Sequence, residues 1–205
     1  MTTADIRARL AKVLAAIRRD KAHVGRLRRV AAALRRRLKR RGRPTTMYDS
    51  VDVSQIPPDA KAVAGYVGGS WPTFASLVKG WPKAHRLSIA IAASEQAMCL
   101  DIEAGDARVE QAARWVTVQL GRGVKRPCLY ASASVIDSLI RAIEAAGLQR
   151  SQVRIWSAHY GHGRHLCGPT TCGEVRSTDA DATQYDDHAL GRSLDVSVLR
   201  RDFFD

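Results

Sequence analysis

Apolar residues recur at alternating spacings of four and three along Ile6, Leu10, Val13, Ile17, Asp20, Val24, Leu27, Ala31, Leu34 and Leu38, with Asp20 the single polar member. That spacing is a coiled-coil seam, and it predicts one long helix over residues 1–43 with a stripe meant for a partner. Gly25 weakens the middle of this helix by about 1 kcal/mol relative to alanine. Arg40-Arg41-Gly42-Arg43-Pro44 ends it, because proline lacks a backbone donor and clashes with the preceding turn. Residues 44–47 read as a linker. Beyond them the period changes to short apolar runs carrying polar groups, at residues 48–54, 61–67, 87–92, 97–103, 126–132, 154–160, 181–185 and 194–199. These predict eight strands.

Helix-like stretches separate several of the strands. Asp106 reads as the N-cap of a helix ending before Gly121, and Ser134 with Asp137 as the capping pair of one ending at Gly147. Trp71 and Trp81 read as packing the helix between them. Alternating strands and helices with eight strands predict an α/β fold: a compact (β/α)8-type TIM-like barrel over residues 48–205, with chemistry at the strand C-termini. The barrel segment is short for that architecture, so several crossover helices must be reduced or missing. Residues 161–180 form a Gly-rich loop long enough to have a role at the site mouth.

Charge divides the chain at the same place. Residues 1–46 carry 16 Lys and Arg against Asp5 and Asp20, whereas the rest carries 17 against 18 acidic residues. The net charge of +13 therefore belongs to the arm. Such an arm binds polyanions without sequence preference. It contains no aromatic residue, and its seam explains apolar positions that nucleic-acid binding would not. No run reaches the ~18 apolar residues that span a bilayer, and Arg and Lys interrupt every stretch that would serve as a signal-peptide core. Arg18-Arg19 is followed by Asp20-Lys21, not by an apolar segment. The sequence thus predicts synthesis in the cytoplasm with neither a transmembrane segment nor a signal peptide.

The most informative chemistry is Asp101-Ile102-Glu103, which closes the apolar run Ala97-Met98-Cys99-Leu100. Residues two apart on a strand point to one face, ~6.6 Å apart along the chain. A single strand tip can therefore aim two carboxyl groups into one pocket, where unlike surroundings split them into an acid and an anion. Acidic residues near a helix N-terminus are the plainer reading of the triplet.

With its neighbours, the triplet resembles glycoside hydrolase family 25, the lysozymes of phages and bacteria, and above all their compact actinobacterial glycoside hydrolase-like relatives. In that family the successive strands read roughly G-I-D-V-S, D-x-E, I-Y-T-S, W-x-A-x-Y, W-Q-Y and V-D-x-N. Here the same order runs through Ser50-Val51-Asp52-Val53-Ser54, Asp101-Ile102-Glu103, Leu129-Tyr130-Ala131-Ser132, Trp156-Ser157-Ala158-His159-Tyr160, Thr183-Gln184-Tyr185 and Leu194-Asp195-Val196-Ser197. The resemblance implies a lysozyme-type peptidoglycan hydrolase with Glu103 as general acid, Asp101 as stabiliser, and Asp52 and Asp195 tuning them. It places Tyr66, Tyr130, Trp156, His159, Tyr160 and Gln184 along a sugar cleft. It implies no cofactor, and action at the cell wall or within a phage virion. The chain departs from the family in the missing glycine of the first motif, Thr183 in place of tryptophan, and Ser197 in place of asparagine. Those departures leave open a virion or envelope structural protein whose barrel binds glycan with little or no turnover. The arm would then join a second copy or a helical partner through residues 6–38.

The cysteines fall into two pairs. Cys99 and Cys128 share strand parity with Asp101 and Tyr130, which predicts buried free thiols on adjacent strands. Cys167 and Cys172 lie in the long loop. They read as a disulfide or, with His162 and His165, as zinc-type ligands.

Overall fold

The computed structural model describes residues 10, 12, 14, 15, 20–30 and 45–205. The chain divides into two units, Met1–Arg43 and Pro44–Asp205. In the first, residues 20–30 are helical, and the described seam residues Leu10, Val24 and Leu27 are all exposed. The other apolar seam positions, Ile6, Val13, Ile17, Ala31, Leu34 and Leu38, lie outside the described residues. Among the described residues no helix is long and apolar enough to cross a membrane.

The second unit is a closed eight-stranded barrel with strand order β1 to β8. The strands are β1 (Thr46–Asp49), β2 (Ala62–Tyr66), β3 (His85–Ala90), β4 (Cys99–Asp101), β5 (Cys128–Ser132), β6 (Arg154–Ala158), β7 (Ala182–Asp186) and β8 (Asp195–Leu199). All eight expected strands are present. The linker is shorter than the sequence suggests, because Thr46 and Met47 already belong to β1.

Strands β1 to β7 run parallel, but β8 is antiparallel to both β7 and β1. This corrects the expectation of a uniform (β/α)8 barrel. The β7–β8 connection, residues 187–194, carries one regular element, the 3-10 turn Ala189–Gly191. A connection of this length permits an antiparallel hairpin, but length does not dictate it, since β3 and β4 pair in parallel across residues 91–98.

Three α-helices cover the outside: α1 (Phe74–Gly80), α2 (Val109–Gly121) and α3 (Ala133–Ala145). They bridge β2–β3, β4–β5 and β5–β6. The β1–β2 connection has the 3-10 turn Val53–Gln55 instead, and the long β6–β7 loop contains no helix or strand. The expected reduction of crossover helices is therefore present. The caps differ from the sequence reading. Helix α2 starts after Arg108, beyond Asp106, and α3 starts after Ser132. Asp137 instead accepts from the Arg176 and Ser177 backbone amides and the Ser177 hydroxyl, tying α3 to the long loop.

Alternation along the strands separates an inner core from an outer layer. Met47, Ala62, Leu87, Cys99, Cys128, Trp156, Ala182 and Leu199 fill the barrel, with Phe203 below them. Outside, Ile136, Leu139, Ile140 and Ile143 form the buried stripe of α3, at the spacing of one helix face. Each contributes roughly 1.5–3 kcal/mol of burial. Helix α1 sits close against β2 because residue 65 is glycine. A Cβ there would come within 2.6 Å of Leu77 Cδ1 and 2.8 Å of Thr73 Oγ1. Trp81 packs beside this helix and donates to the Pro57 carbonyl at 2.8 Å. Trp71 does not pack there; it is 61% exposed.

Candidate active site

Seven strands end, and β8 begins, at one rim of the barrel, where most inner-face residues are polar and Ile89 and Ala158 are the apolar exceptions. Asp49 is the last residue of β1, Tyr66 of β2 and Asp101 of β4; Asp195 is the first of β8. One step deeper on the same face lie Met47, Ala64, Cys99 and Cys128, all fully buried. The sequence thus builds an apolar plug topped by acidic groups.

Asp49 and Asp195 are Cα partners across β1 and β8. Burial pushes the Asp49 carboxyl well above its ordinary range, and the charge of Asp195 pushes it further. Burial also lifts Asp195, to about 6, against hydrogen bonds with Gln184 and Asp49. Two acids in this arrangement resist ionising together.

Asp101 is 1% exposed. Burial and then the charges of Glu103 and Asp106 raise it to about 8, opposed by the Tyr66 hydroxyl, which donates to Asp101 Oδ2 at 3.2 Å. Glu103 stands two residues further out on the exposed rim. Partial desolvation and the charge of Asp106 raise it as well, opposed by a hydrogen bond from Tyr130. An open depression of about 650 Å³ lies beside it, walled by Ala107, Arg108, Glu110, Ser132 and Val135. Glu103 therefore joins this depression to the acidic mouth. Asp49 Oδ1 and Asp101 Oδ1 are buried without a protein hydrogen-bond partner.

Asp52 is not part of the cluster. It follows the end of β1 by three residues and caps the turn at Val53–Gln55, accepting from Ser54 N at 3.0 Å and Gln55 Nε2 at 2.9 Å. The Gln55 and Ser54 bonds lower its pKa, so it is an ionised surface cap. The carboxyl that β1 delivers to the rim is Asp49, which the sequence reading did not single out. The usable signal was Met47-Tyr48-Asp49, whose apolar–x–acid pattern matches Cys99-Leu100-Asp101.

The expected sugar-cleft residues separate. Tyr66, Tyr130 and Gln184 lie on the inner face among the acids. Trp156 is buried beneath them, its ring 4.6 Å from that of Tyr130 and its Nε1 donating to Ser197 Oγ at 2.9 Å. Ser197 thus anchors the floor. Tyr160 is half-exposed, with its hydroxyl 3.4 Å from that of Tyr130. His159, one residue past β6, has the opposite parity and joins His162 and His165 instead. Trp71, in the loop after β2, stands on the mouth side and was not foreseen as a site residue.

Cys99 and Cys128 are register partners and buried free thiols, as parity predicts. Cys167 and Cys172 are also free thiols, so the expected bridge is not formed.

No protein-family model matches this chain, and no curated protein matches it. The fold is similar to the crystal structure of an uncharacterized B. stearothermophilus protein, with 17% identity and a TM-score of 0.55 over 78% of this chain and 98% of that one. At that identity the likeness is one of fold.

Proposed function

We propose that the barrel mouth binds a peptidoglycan-type glycan strand and hydrolyses it in the manner of the family 25 lysozymes that its motif order resembles. The observation that carries this reading is the set of four carboxyl groups in unlike surroundings, Asp49, Asp101, Glu103 and Asp195, at the barrel's C-terminal rim. Chemistry in barrels of this kind belongs at that rim.

Glycosidic cleavage needs a carboxylic acid beside the leaving oxygen and an anion beside the oxocarbenium-like centre. Asp101 and Glu103 repel one another, so through the neutral range the pair keeps one proton, which burial favours on Asp101 in the open site. A sugar covering Glu103 strips water from it and draws the proton outward, leaving Asp101 ionised behind the ring. Glu103 then protonates the glycosidic oxygen while Asp101 stabilises the positive charge. Asp49 and Asp195 hold the local field and offer lone pairs to sugar hydroxyls. The exposed rings of Trp71 and Tyr160 supply apolar faces on which a pyranose packs. The basic arm tethers the barrel, through its seam to a second copy or a helical partner, and through its cations to anionic wall polymers.

The test is muropeptide analysis of purified cell walls incubated with the full-length protein. New reducing ends are expected, and their loss in Glu103→Gln and Asp101→Asn. Walls bound but left intact would replace hydrolysis with the structural, glycan-binding role.

A further inference from the structure

We propose that His159, His165, Cys167 and Cys172 form a zinc site that pins the β6–β7 loop to the barrel, an inference independent of the glycan reading. One donor atom from each of the four lies within 4.8 Å of all the others. His159 Nδ1 is 2.9 Å from His165 Nε2, and Cys167 Sγ is 3.4 Å from the same nitrogen. Tetrahedral zinc, with bonds of about 2.0–2.1 Å to nitrogen and 2.3 Å to sulfur, sets its ligands roughly 3.3–3.8 Å apart. Side-chain movements of about 1 Å close the cluster onto that geometry.

The surroundings already orient the donors. His165 Nδ1 lies 2.8 Å from the Gly163 carbonyl oxygen. That acceptor holds the ring proton on Nδ1 and turns the Nε2 lone pair into the cluster, the outer contact that metal-bound imidazoles use. His159 is fixed by its backbone amide, which donates to Gln184 O at 2.8 Å and extends the β6–β7 ladder. Cys167 is held on both sides: its amide donates to Thr183 Oγ1 at 2.8 Å, and its carbonyl accepts from Ala180 N at 2.8 Å. The Cys172 amide donates to Gly168 O at 3.0 Å. Both thiols are buried.

Two thiolates and two imidazoles suit zinc among the common divalent ions, and the thiolates neutralise its charge. Four protein donors leave no open position, which makes the site structural. A disulfide would use both sulfurs and leave the convergence of two imidazoles on them without a purpose. His162, which the sequence grouped with these ligands, stacks on His159 at 4.1 Å and stands outside the donor set. Strand parity is the reason: His159, the first residue past β6, faces away from the barrel interior and toward the loop. The loop has no helix or strand of its own, so the metal would supply the order that backbone pairing does not. It would also fix Tyr160, the neighbour of His159, against Tyr130.

Full-length protein purified with reductant and chelator, then titrated with Co²⁺, tests this directly. The expected result is saturation at about one ion per chain, with the thiolate-to-cobalt charge-transfer absorption and intense visible bands of a tetrahedral site, both removed by Zn²⁺. Cys172→Ser and His165→Ala should weaken binding by well over ~10-fold, while His162→Ala keeps the spectrum. Wild-type protein with four free thiols and no charge-transfer band would overturn the proposal, whatever the variants do. A Cys167–Cys172 disulfide that forms in the presence of zinc would also overturn it.

Discussion

Asp49 and Asp195, from the first and last strands, face one another as Cα partners across the β1–β8 seam, and each is held above the ordinary carboxyl range. Both titrate above their ordinary range, so these two groups bind more protons in the folded chain than in the unfolded chain once the pH exceeds about 4. Such groups contribute stability that is fully present below the unfolded pKa and is lost as pH rises through the folded value, about 6 for Asp195 and about 8 for Asp101. In urea unfolding the barrel should lose stability between pH 5 and pH 8, and Asp49→Asn should narrow that difference. An unchanged difference would remove the Asp49–Asp195 pair from this account.

Replacing Glu103 by Gln preserves shape but removes the transferable proton, and should cost at least ~10²-fold in wall hydrolysis. Asp101→Asn should be similarly damaging. Because the pair must keep one proton, wild-type activity should fall on the alkaline side through about pH 8. Activity that survives in both variants would end the lysozyme-type reading.

Asp52→Ala is the contrasting case. Its carboxylate caps the Val53–Gln55 turn on the surface, so the variant should keep turnover and its pH profile, with a small loss of thermal stability. A collapse of activity in a folded Asp52→Ala protein would return this residue to the site.

The described seam residues Val24 and Leu27 are exposed on the residue 20–30 helix. Val24→Asp together with Leu27→Asp should abolish self-association of the full chain in sedimentation experiments. Association of the wild type should strengthen with salt, because the arm's cations repel at low ionic strength. A chain that is monomeric at every salt concentration, with no helical partner, would leave the arm as a polyanion-binding segment.

Periodicity carries the fold a long way here. Eight strands in their correct order are legible because each is a short apolar run, and the inward parity of Cys99, Asp101, Cys128 and Tyr130 follows from alternation alone. The register at strand ends is not legible, because it depends on partners distant in sequence. Asp49 shows this: the Tyr48↔Val63 pairing and the contact with β8 fix where β1 ends, and neither is visible in Ser50-Val51-Asp52. The direction of β8 escaped as well: its connection is as long as the one between the parallel strands β3 and β4, so neither that length nor the residues of β8 announce the reversal. Asp106 and Asp137 both have capping chemistry, yet tertiary contacts gave one a rim position and the other the loop at Arg176 and Ser177.

The reversed eighth strand also says where the ring gives way. Strands β7 and β8 are chain neighbours and pair with little loop entropy to overcome, but β1 and β8 must find each other across the whole length of the barrel. The β1–β8 seam is therefore the zip of the structure, and the acidic pair is sewn into it. Whenever the zip parts, Asp49 meets water and releases its proton; to fasten again it must recapture one. Hydrogen ions thus act as the catch of this fastening, and rising pH should speed amide exchange at Met47 and Tyr48 beyond its intrinsic dependence, sooner than in the strands on the far side.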